Sequence, residues 1–300
     1  MATTDRCVVT IGVFDGVHRG HQALLARARR VAVERGEPLV ALTFDPHPAT
    51  ILRPDSVPPL LLSIERRTAC LRDQGADVVD VICFDEPTSL MSPEDFAREY
   101  FAQRHRASAV VVGENFRFGH DARGDVAFLA DIGAHLGFDG ISVPLAHDGS
   151  AWSSTRARAA LLGGDIAAAR EILGRAPEME GVVVHGDHRG RGLGYPTANV
   201  DPDPGRAIPG SGIYAGHLIV GSEDLPAAIS IGDNPHFGGG DMRVEAYVLD
   251  RDDLDLYGSR VRLDFSQRLR DQAVFPSLED YLAQMRRDVA DARAALVSGR

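Results

Sequence analysis

Residues 12–21 read Gly-Val-Phe-Asp-Gly-Val-His-Arg-Gly-His, between an apolar run, Cys7–Val13, and a segment with helical spacing, Ala23–Arg35. Short β-branched apolar runs are typical of strands, and apolar residues three and four apart are typical of helices. The stretch is therefore predicted to be a glycine-containing loop that leads from a strand into a helix. Such a loop suits phosphate, because the first N–H groups of a helix have no partner within it.

Strands and helices continue to alternate along the first half of the chain. This alternation implies right-handed crossovers and a parallel, doubly wound sheet with a Rossmann-like α/β fold. In such sheets ligands bind at the carboxyl ends of the strands, so the loops after Val13, Phe44 and Val112 are expected to meet there. The further predicted strands are Leu39–Phe44, Val78–Phe84 and Ala109–Val112, and the further predicted helices are Ile64–Gln74 and Ser92–Arg104.

The pattern changes after Pro177, where short strands are separated by Gly, Pro and Asp. This pattern is typical of a small antiparallel β-barrel. An amphipathic helix, Leu278–Ala295, is predicted to close the chain, and two helical stretches within 155–173 precede the barrel. We therefore predict two domains, residues 1–176 and 177–300. The predicted barrel strands are Val182–His185, Gly212–Val220, Ala227–Ile231, Arg243–Asp250 and Arg260–Phe265.

Composition narrows the class of protein. The formal net charge of −11 argues against a nucleic-acid partner, because affinity for phosphate backbones comes from an excess of Lys and Arg. The cysteines Cys7, Cys70 and Cys83 are odd in number and lack metal-ligand spacing, which favours free thiols in a reducing compartment. No apolar run approaches membrane-spanning length. A soluble, cytoplasmic protein without a membrane partner is expected.

The loop at residues 12–21 carries two histidines, His18 and His21, three residues apart at the predicted start of a helix. Side chains at this spacing project to nearly the same side. Two imidazoles there can donate hydrogen bonds to a phosphoryl group in its transition state, and glycines such as Gly12 and Gly16 let the backbone approach phosphate closely. The other interpretation is one buried structural histidine and one surface histidine.

Three further segments accompany this loop. Thr-Phe-Asp-Pro-His-Pro at 43–48 follows the second strand, and Gly-Glu-Asn-Phe-Arg-Phe-Gly at 113–119 follows another. Ser153, Ser154, Thr155 and Arg156 begin a helix, where hydroxyls and a guanidinium can bind outgoing phosphates. Each segment alone is weak evidence, since a Ser or Thr helix cap needs no further function. Together they predict a nucleotidyltransferase.

A second glycine-rich stretch, residues 186–199, follows a strand of the predicted barrel. Its glycines suit a loop that wraps phosphates with backbone amides, although the Gly-Lys-Ser/Thr ending of a Walker loop is absent. Thr197 and Asn199 offer hard oxygen ligands that can complete the shell of an ATP-bound Mg²⁺. The other interpretation is a flexible hairpin loop.

The four segments of the first half, in their order, closely resemble the adenylyltransferase module of bacterial bifunctional riboflavin kinase/FMN adenylyltransferases. The resemblance implies that His18 and His21 stabilise the transferred α-phosphate of ATP. It also implies that Asn115 lines the nucleotide site and that Ser154 and Arg156 hold the β- and γ-phosphates, with Thr155 beside them. The expected ATP loop comprises Gly12, Phe14, Asp15 and Gly16.

The second half resembles the riboflavin kinase module of the same family, through residues 186–199 and through Val-Glu-Ala at 244–246. The resemblance implies that Glu245 is the base for the ribityl 5′-hydroxyl, although strand alternation alone favours an outward-facing residue. It further implies flavin contacts at Asn234 and Arg270. The phosphate-binding residues that it implies are Gly186, Arg189, Gly190 and Gly194.

The chain departs from the family pattern at residues 231–237. Where the family usually has Ile-Gly-Thr-Asn-Pro-Thr-Phe, Asp233 and His236 replace two hydroxyl residues. A carboxylate near bound ATP repels phosphate or competes for Mg²⁺, so this chain's kinase is expected to be slower than its adenylyltransferase. The other interpretation is that His236 stacks on the flavin or replaces a lost hydroxyl hydrogen bond, so that the two substitutions are harmless or suit a different flavin.

The resemblance covers residues 8–290 and implies a transferase that makes FMN from riboflavin and FAD from FMN. Its implied substrates are riboflavin, FMN and ATP, with Mg²⁺ in both steps. Two alternatives stay open: a monofunctional FMN adenylyltransferase with a weakened kinase or a modified flavin substrate, and a non-catalytic flavin or nucleotide sensor. A homo-oligomer and a preference for CTP over ATP also stay open.

Overall fold

The computed structural model describes residues 6–147, 149–186, 195–232, 242–251 and 253–298. The chain divides into two compact units. One consists of the residues up to Pro58 together with Ile64–Ser153, and the other consists of Pro59–Ser63 together with the residues from Ser154 onward.

The described part of the first unit contains a five-stranded sheet whose paired strands all run parallel. Its spatial order is β3-β2-β1-β4-β5. From β1 the chain builds the sheet outward in one direction and then returns to β4 on the other side of β1, so a topological switch point lies between β1 and β4. The strands are β1 (Cys7–Ile11), β2 (Leu39–Asp45), β3 (Val78–Cys83), β4 (Ala107–Gly113) and β5 (Asp139–Val143).

Helices cover both faces of this sheet. Neighbouring residues of a strand face opposite sides, so Val8 packs with Ala28 and Val31, whereas Val9 packs in a cluster with Phe96 and Phe101. The helices are α1 (Arg19–Arg35), α2 (Ala49–Leu52), α3 (Ile64–Asp73), α4 (Glu86–Leu90), α5 (Pro93–Phe96), which continues as a π-helical segment (Ala97–Arg104), and α6 (Val126–Leu136). Two 3₁₀ turns cover Pro54–Ser56 and His120–Ala122.

The second unit begins with α7 (Ser154–Leu162) and α8 (Ile166–Leu173) and continues as a closed barrel of antiparallel strands. Within the described residues the strand order around the barrel is β10-β7-β6-β11-β8-β9. A final helix, α9 (Leu278–Ser298), packs against β8, β9 and β11. The strands are β6 (Glu178–Val184), β7 (Ala198–Pro202), β8 (Gly212–Val220), β9 (Glu223–Gly232), β10 (Arg243–Val248) and β11 (Arg260–Arg270).

The predicted fold class is confirmed: a parallel Rossmann-like sheet precedes an antiparallel barrel and a C-terminal helix. The helices α2, α4 and α6 and the strands β5 and β7 were not predicted. The signals of the two strands are weak because β5 is only half-buried and β7 ends in Pro202, a residue that cannot donate to a ladder. Leu278, the first residue of the last helix, is 47% exposed, whereas Ala292 is fully buried.

Candidate active sites

His18 is the N-cap of α1, the helix that follows the first strand. Its backbone is extended (φ −69°, ψ 171°), and its Nδ1 accepts a hydrogen bond from the backbone N–H of His21 at 3.4 Å. The imidazole thus takes the place of the Ser, Thr, Asp or Asn that usually satisfies this orphan donor. Because Nδ1 acts as the acceptor, the proton of the neutral ring lies on Nε2, which makes that nitrogen a donor.

The two histidines of the sequence prediction lie together. Their rings are stacked with centroids 3.6 Å apart and planes inclined by 22°, and the Phe14 ring meets His21 edge-on at 5.1 Å. Gly20 leaves room for this arrangement, since a Cβ at that position would lie 3.0 Å from Cε1 of His18. His18 is buried and His21 is partly buried against it, so neither is a surface histidine.

The loop before His18 holds its backbone in unusual conformations. Phe14 (φ 52°) and Val17 (φ 39°) both have positive φ, which costs a non-glycine residue about 1–3 kcal/mol. Val17 N–H donates to the Phe14 carbonyl at 3.0 Å, and Gln22 Nε2 donates to the Val17 carbonyl at 2.9 Å. Because the side chains of Phe14 and Asp15 are buried, any contact of these two residues with ATP would come from their backbone.

Arg67 of α3 is a component of this site that sequence reasoning missed. It is 1% exposed, and its Nη1 donates to the Phe44 carbonyl at 2.9 Å and to Thr43 Oγ1 at 3.4 Å. Thr43 Oγ1 in turn donates to the Val13 carbonyl at 3.0 Å. A buried guanidinium therefore ties the end of β2 to the histidine loop. The sequence of α3 offers no signal for it, because Arg66 and Arg67 are adjacent and only packing distinguishes them.

The surroundings of His21 keep its imidazole neutral. Burial lowers the pKa of His21 well below the usual 6.5, and the neighbouring His18 and Arg67 lower it further. The Nδ1 atom of His21 is buried and makes no hydrogen bond within the described part of the chain. A neutral ring can donate one N–H without burying a charge.

This environment predicts an unusual titration. A histidine in the unfolded chain gains its proton as the pH falls through about 6.5, whereas His21 in the folded protein does not. Because this proton is bound only in the unfolded state, the free energy of unfolding falls by up to about 1.4 kcal/mol for each pH unit below that value. Above that pH the free energy of unfolding is unaffected. We expect the ¹⁵N signals of the His21 ring, assigned with the variant His21→Gln, to remain those of a neutral imidazole at pH 6.5. A midpoint near 6.5 would contradict the burial argument.

Asn115 follows β4, the strand hydrogen-bonded to β1, so its loop and the histidine loop leave adjacent strands at the switch point. Asn115 is exposed, and its Oδ1 lies 3.3 Å from where a Cβ on Gly113 would stand. Ser154, Thr155 and Arg156 form the first turn of α7 and therefore belong to the second unit. Their predicted phosphate contacts stay predictions.

Glu245 lies on the outer wall of the barrel. In β10 the side chains of Val244 and Ala246 are buried, whereas Glu245 is half-buried on the other face of the strand. In the strand register Glu245 stands opposite Asn199 of β7 on one side and opposite Ser230 of β9 on the other. Directly opposed residues of antiparallel strands share a face, so the barrel brings Asn199, Glu245 and Ser230 into one row.

A pocket lies over this row, between the outer wall of the barrel and α9. Two pairs of aromatic rings border it: Tyr195 meets Tyr247 edge-on at 5.3 Å, and Phe275 meets Tyr281 edge-on at 5.7 Å. Flat aromatic walls with a few polar groups suit a flat heteroaromatic ligand. The lining residues are Tyr195, Thr197, Ile213, Ala228, Ile229, Ser230, Glu245, Tyr247, Arg270, Gln272, Ala273, Phe275, Tyr281, Met285, Asp288 and Val289.

The structure brings Thr197, Glu245 and Arg270 to one pocket, as the predicted kinase site requires. The contribution of α9 was missed, although Tyr281, Met285 and Asp288 follow the i, i+4, i+7 spacing that could have indicated it. Arg189, Gly190, Gly194 and Asn234 lie outside the described residues, as do Asp233 and His236.

Gly186 opens the glycine-rich stretch and is in close contact with Asn199. A Cβ on Gly186 would lie 2.2 Å from Nδ2 of Asn199, which no side chain can accommodate. The backbone at the start of the stretch therefore lies directly against the amide of Asn199, in the same row as Glu245.

The two folds and their two candidate sites are consistent with a two-part enzyme, and comparisons with known proteins define it as a phosphate-transferring one. The chain matches the family model of FAD synthetase over residues 1–156 and that of riboflavin kinase over residues 173–296. It is 34% identical to the bifunctional riboflavin kinase/FMN adenylyltransferase of Escherichia coli, over 97% of this chain and 93% of the relative. It is 37% identical to the protein of the same description from Pseudomonas fluorescens, over 96% of this chain and 92% of the relative. The chain belongs to the family of bifunctional riboflavin kinase/FMN adenylyltransferases.

Among solved structures, a protein from Streptococcus pneumoniae described as a macrolide-efflux protein superimposes with a TM-score of 0.86. The two chains are 30% identical, and the match covers 98% of this chain and 95% of the other. Along the described part of this chain, we find no helix with the length and apolar character needed to cross a membrane.

Proposed function

We propose that the two reactions of the family are divided between the two sites and are carried out by the residues described above. The chain is a transferase with riboflavin kinase and FMN adenylyltransferase activity, and ATP, riboflavin and FMN are its substrates. The proposal concerns which residues act and how. It rests above all on one observation: the stacked imidazoles and the row that contains Glu245 lie in different units of the chain.

In the adenylyltransferase, an FMN phosphate oxygen attacks the α-phosphorus of ATP, and pyrophosphate leaves. Nε2–H of His18 and the ring of His21 donate to the α-phosphate oxygens as negative charge builds up on them. The N-terminus of α1 adds its positive dipole end at the same place. Gly12 and Gly16 let the backbone approach the nucleotide, with Phe14 and Asp15 holding the loop, while Asn115 contacts the nucleotide.

In the kinase, the carboxylate of Glu245 orients the ribityl 5′-hydroxyl of riboflavin and accepts its proton as the hydroxyl attacks the γ-phosphorus of ATP. The aromatic pairs beside Glu245 hold the isoalloxazine ring, and Arg270 donates hydrogen bonds to it. Gly186, Arg189, Gly190 and Gly194 are proposed for the ATP phosphates, and Asn234 for the flavin.

Mg²⁺ fits the kinase site through Thr197 and Asn199, which offer neutral oxygens beside Glu245. The described residues contain no group of three or more His, Cys, Asp or Glu placed to hold a metal. The neutral oxygens of Thr197 and Asn199 are the kind of donor expected for a Mg²⁺ ion that is bound largely by ATP phosphates. The ion would neutralise phosphate charge. The cytoplasmic location stays a prediction, whereas the oligomeric state and the preference between ATP and CTP stay open.

Incubation of the protein with riboflavin, ATP and Mg²⁺, with separation of the flavins over time, tests the proposal. FMN should appear first and FAD after a lag, whereas supplied FMN should yield FAD without a lag. FAD from supplied FMN but no loss of riboflavin would indicate the monofunctional alternative. Flavin binding without any product would indicate a sensor.

A further inference from the structure

Two charged residues of the kinase pocket form a close pair. Nε and Nη2 of Arg270, at the end of β11, donate to the two carboxylate oxygens of Asp288 in α9 at 2.8 and 2.6 Å. The side chains are 24% and 9% exposed, respectively. Both residues line the pocket that contains Glu245. A bidentate pair of this kind fixes the plane of the guanidinium as well as its position.

Further contacts hold this pair in place. Nη1 of Arg270 donates to the Asp271 carbonyl at 2.7 Å, and Nε2 of Gln284 donates to Oδ1 of Asp288 at 2.8 Å. The guanidinium carbon lies 5.8 Å from the centroid of the Phe275 ring. Among the described residues, these bonds occupy three of the about five N–H groups of an arginine, which leaves two for a ligand.

Asp288 also contributes to the balance of charge in the pocket. Besides three tyrosines, the ionisable groups among the described lining residues are Glu245, Arg270 and Asp288. Burial raises the pKa of Tyr281, and the negative charges of Glu245 and Asp288 raise it further, so Tyr281 lies within electrostatic reach of both carboxylates. Without Asp288, Glu245 would be the carboxylate of the lining that is left to attract the Arg270 guanidinium.

We propose that Asp288 is a positioning residue for riboflavin: it fixes the Arg270 guanidinium against the pocket wall so that its two remaining N–H groups face the carbonyl oxygens of the flavin. The proposal rests on the assignment of Arg270 to flavin binding. Asp288 acts through Arg270 and touches no reacting atom. Its loss should therefore weaken riboflavin binding more than it slows phosphoryl transfer.

The variant Asp288→Asn tests this role, because it keeps the shape of the side chain and removes its charge. We expect the KM for riboflavin to rise about tenfold or more while kcat changes by less than about threefold, the signature of lost binding that is equal in ground and transition states. The rate of FAD formation from supplied FMN should stay at the parent value, and the retained kcat for riboflavin reports that the barrel is folded. An unchanged KM, or a fall in kcat alone, would overturn the proposal.

A second ion pair of α9 provides a matched control. Arg293 donates to both carboxylate oxygens of Asp250 at 2.6 and 2.8 Å, but this pair is exposed and lies outside the pocket lining. Asp250→Asn removes a bidentate pair from the same helix and should leave the KM for riboflavin unchanged. Equal rises in KM for the two variants would show that any weakening of α9 has this effect, which would overturn the positioning role.

Arg270→Ala separates the proposal from the assignment on which it rests. If Arg270→Ala leaves the KM for riboflavin unchanged, Arg270 does not bind flavin, and both statements fail. If Arg270→Ala raises the KM and Asp288→Asn does not, only the role of Asp288 fails. When the two changes are combined, the KM should rise no further than with Arg270→Ala alone, because Asp288 has no other route to the ligand.

Should Asp288→Asn not accumulate as folded protein, Arg270→Met with Asp288→Leu replaces the pair without leaving a charge unpaired. This variant should show the raised KM of Arg270→Ala, and a parent KM would overturn the proposal.

Discussion

Replacement of both His18 and His21 by Ala should abolish FAD formation from FMN, with a rate loss on the order of 10² or more, because it removes donors to the transition-state charge. The stacked pair stands in the first unit, and the Glu245 row stands in the second. Phosphorylation of riboflavin should therefore continue at the parent rate. The measurement is the separate rate of each step, with riboflavin or FMN supplied.

The single variant His18→Asn sharpens this test. Asn is as good an N-cap as any residue, so it preserves the bond to the backbone N–H of His21 that Ala would remove at a cost of about 1 kcal/mol. FAD formation should still be lost, since the Nε2–H donor is gone. His135→Ala, an exposed histidine of α6, serves as the control and should leave both rates unchanged. Equal loss of both activities in a folded double variant would refute the division between the sites.

Glu245→Gln should produce the opposite result. The amide keeps the shape of the side chain and its place between Asn199 and Ser230, but it cannot accept the proton of the ribityl hydroxyl. General-base catalysis contributes about 10²- to 10⁴-fold, so FMN production should fall by a factor in that range. FMN supplied from outside should be converted to FAD at the parent rate.

Glu223→Gln is the matched control for this change, because Glu223 is an exposed carboxylate of the same barrel and lies outside the pocket lining. It should leave the kinase unchanged. Riboflavin phosphorylation at the parent rate in Glu245→Gln would show that Glu245 is only an outward-facing strand residue.

The position of Glu245 shows what strand alternation can predict and what it cannot. Alternation in Val244–Ala246 correctly places the Glu245 side chain on the outer face, since neighbours along a strand point to opposite sides. That face is not open solvent, because α9 packs over the barrel and contributes Tyr281, Met285 and Asp288 to the pocket. A period of two residues carries no information about which distant helix covers a strand.

Arg67 illustrates the same limit in the first unit. The spacing of apolar residues predicts the helix that carries it, Ile64–Asp73 in the structure, because helical periodicity is a property of the segment itself. Its burial depends on β2, whose Thr43 and Phe44 accept its hydrogen bonds from 24 and 23 residues away. A polar residue in a helix is predicted to face solvent until such partners are known.

The sequence by itself determined most of the strands and helices, the two fold types, the loop with His18 and His21 on one helical turn, and the family. All of these depend on residues near one another along the chain. Only the tertiary structure decided that Arg67 is buried behind the histidine loop, that Asn199, Glu245 and Ser230 form one row, and that Asp288 holds Arg270. These relations join segments up to tens of residues apart, and they arise from strand register and side-chain packing, which local periodicity does not encode.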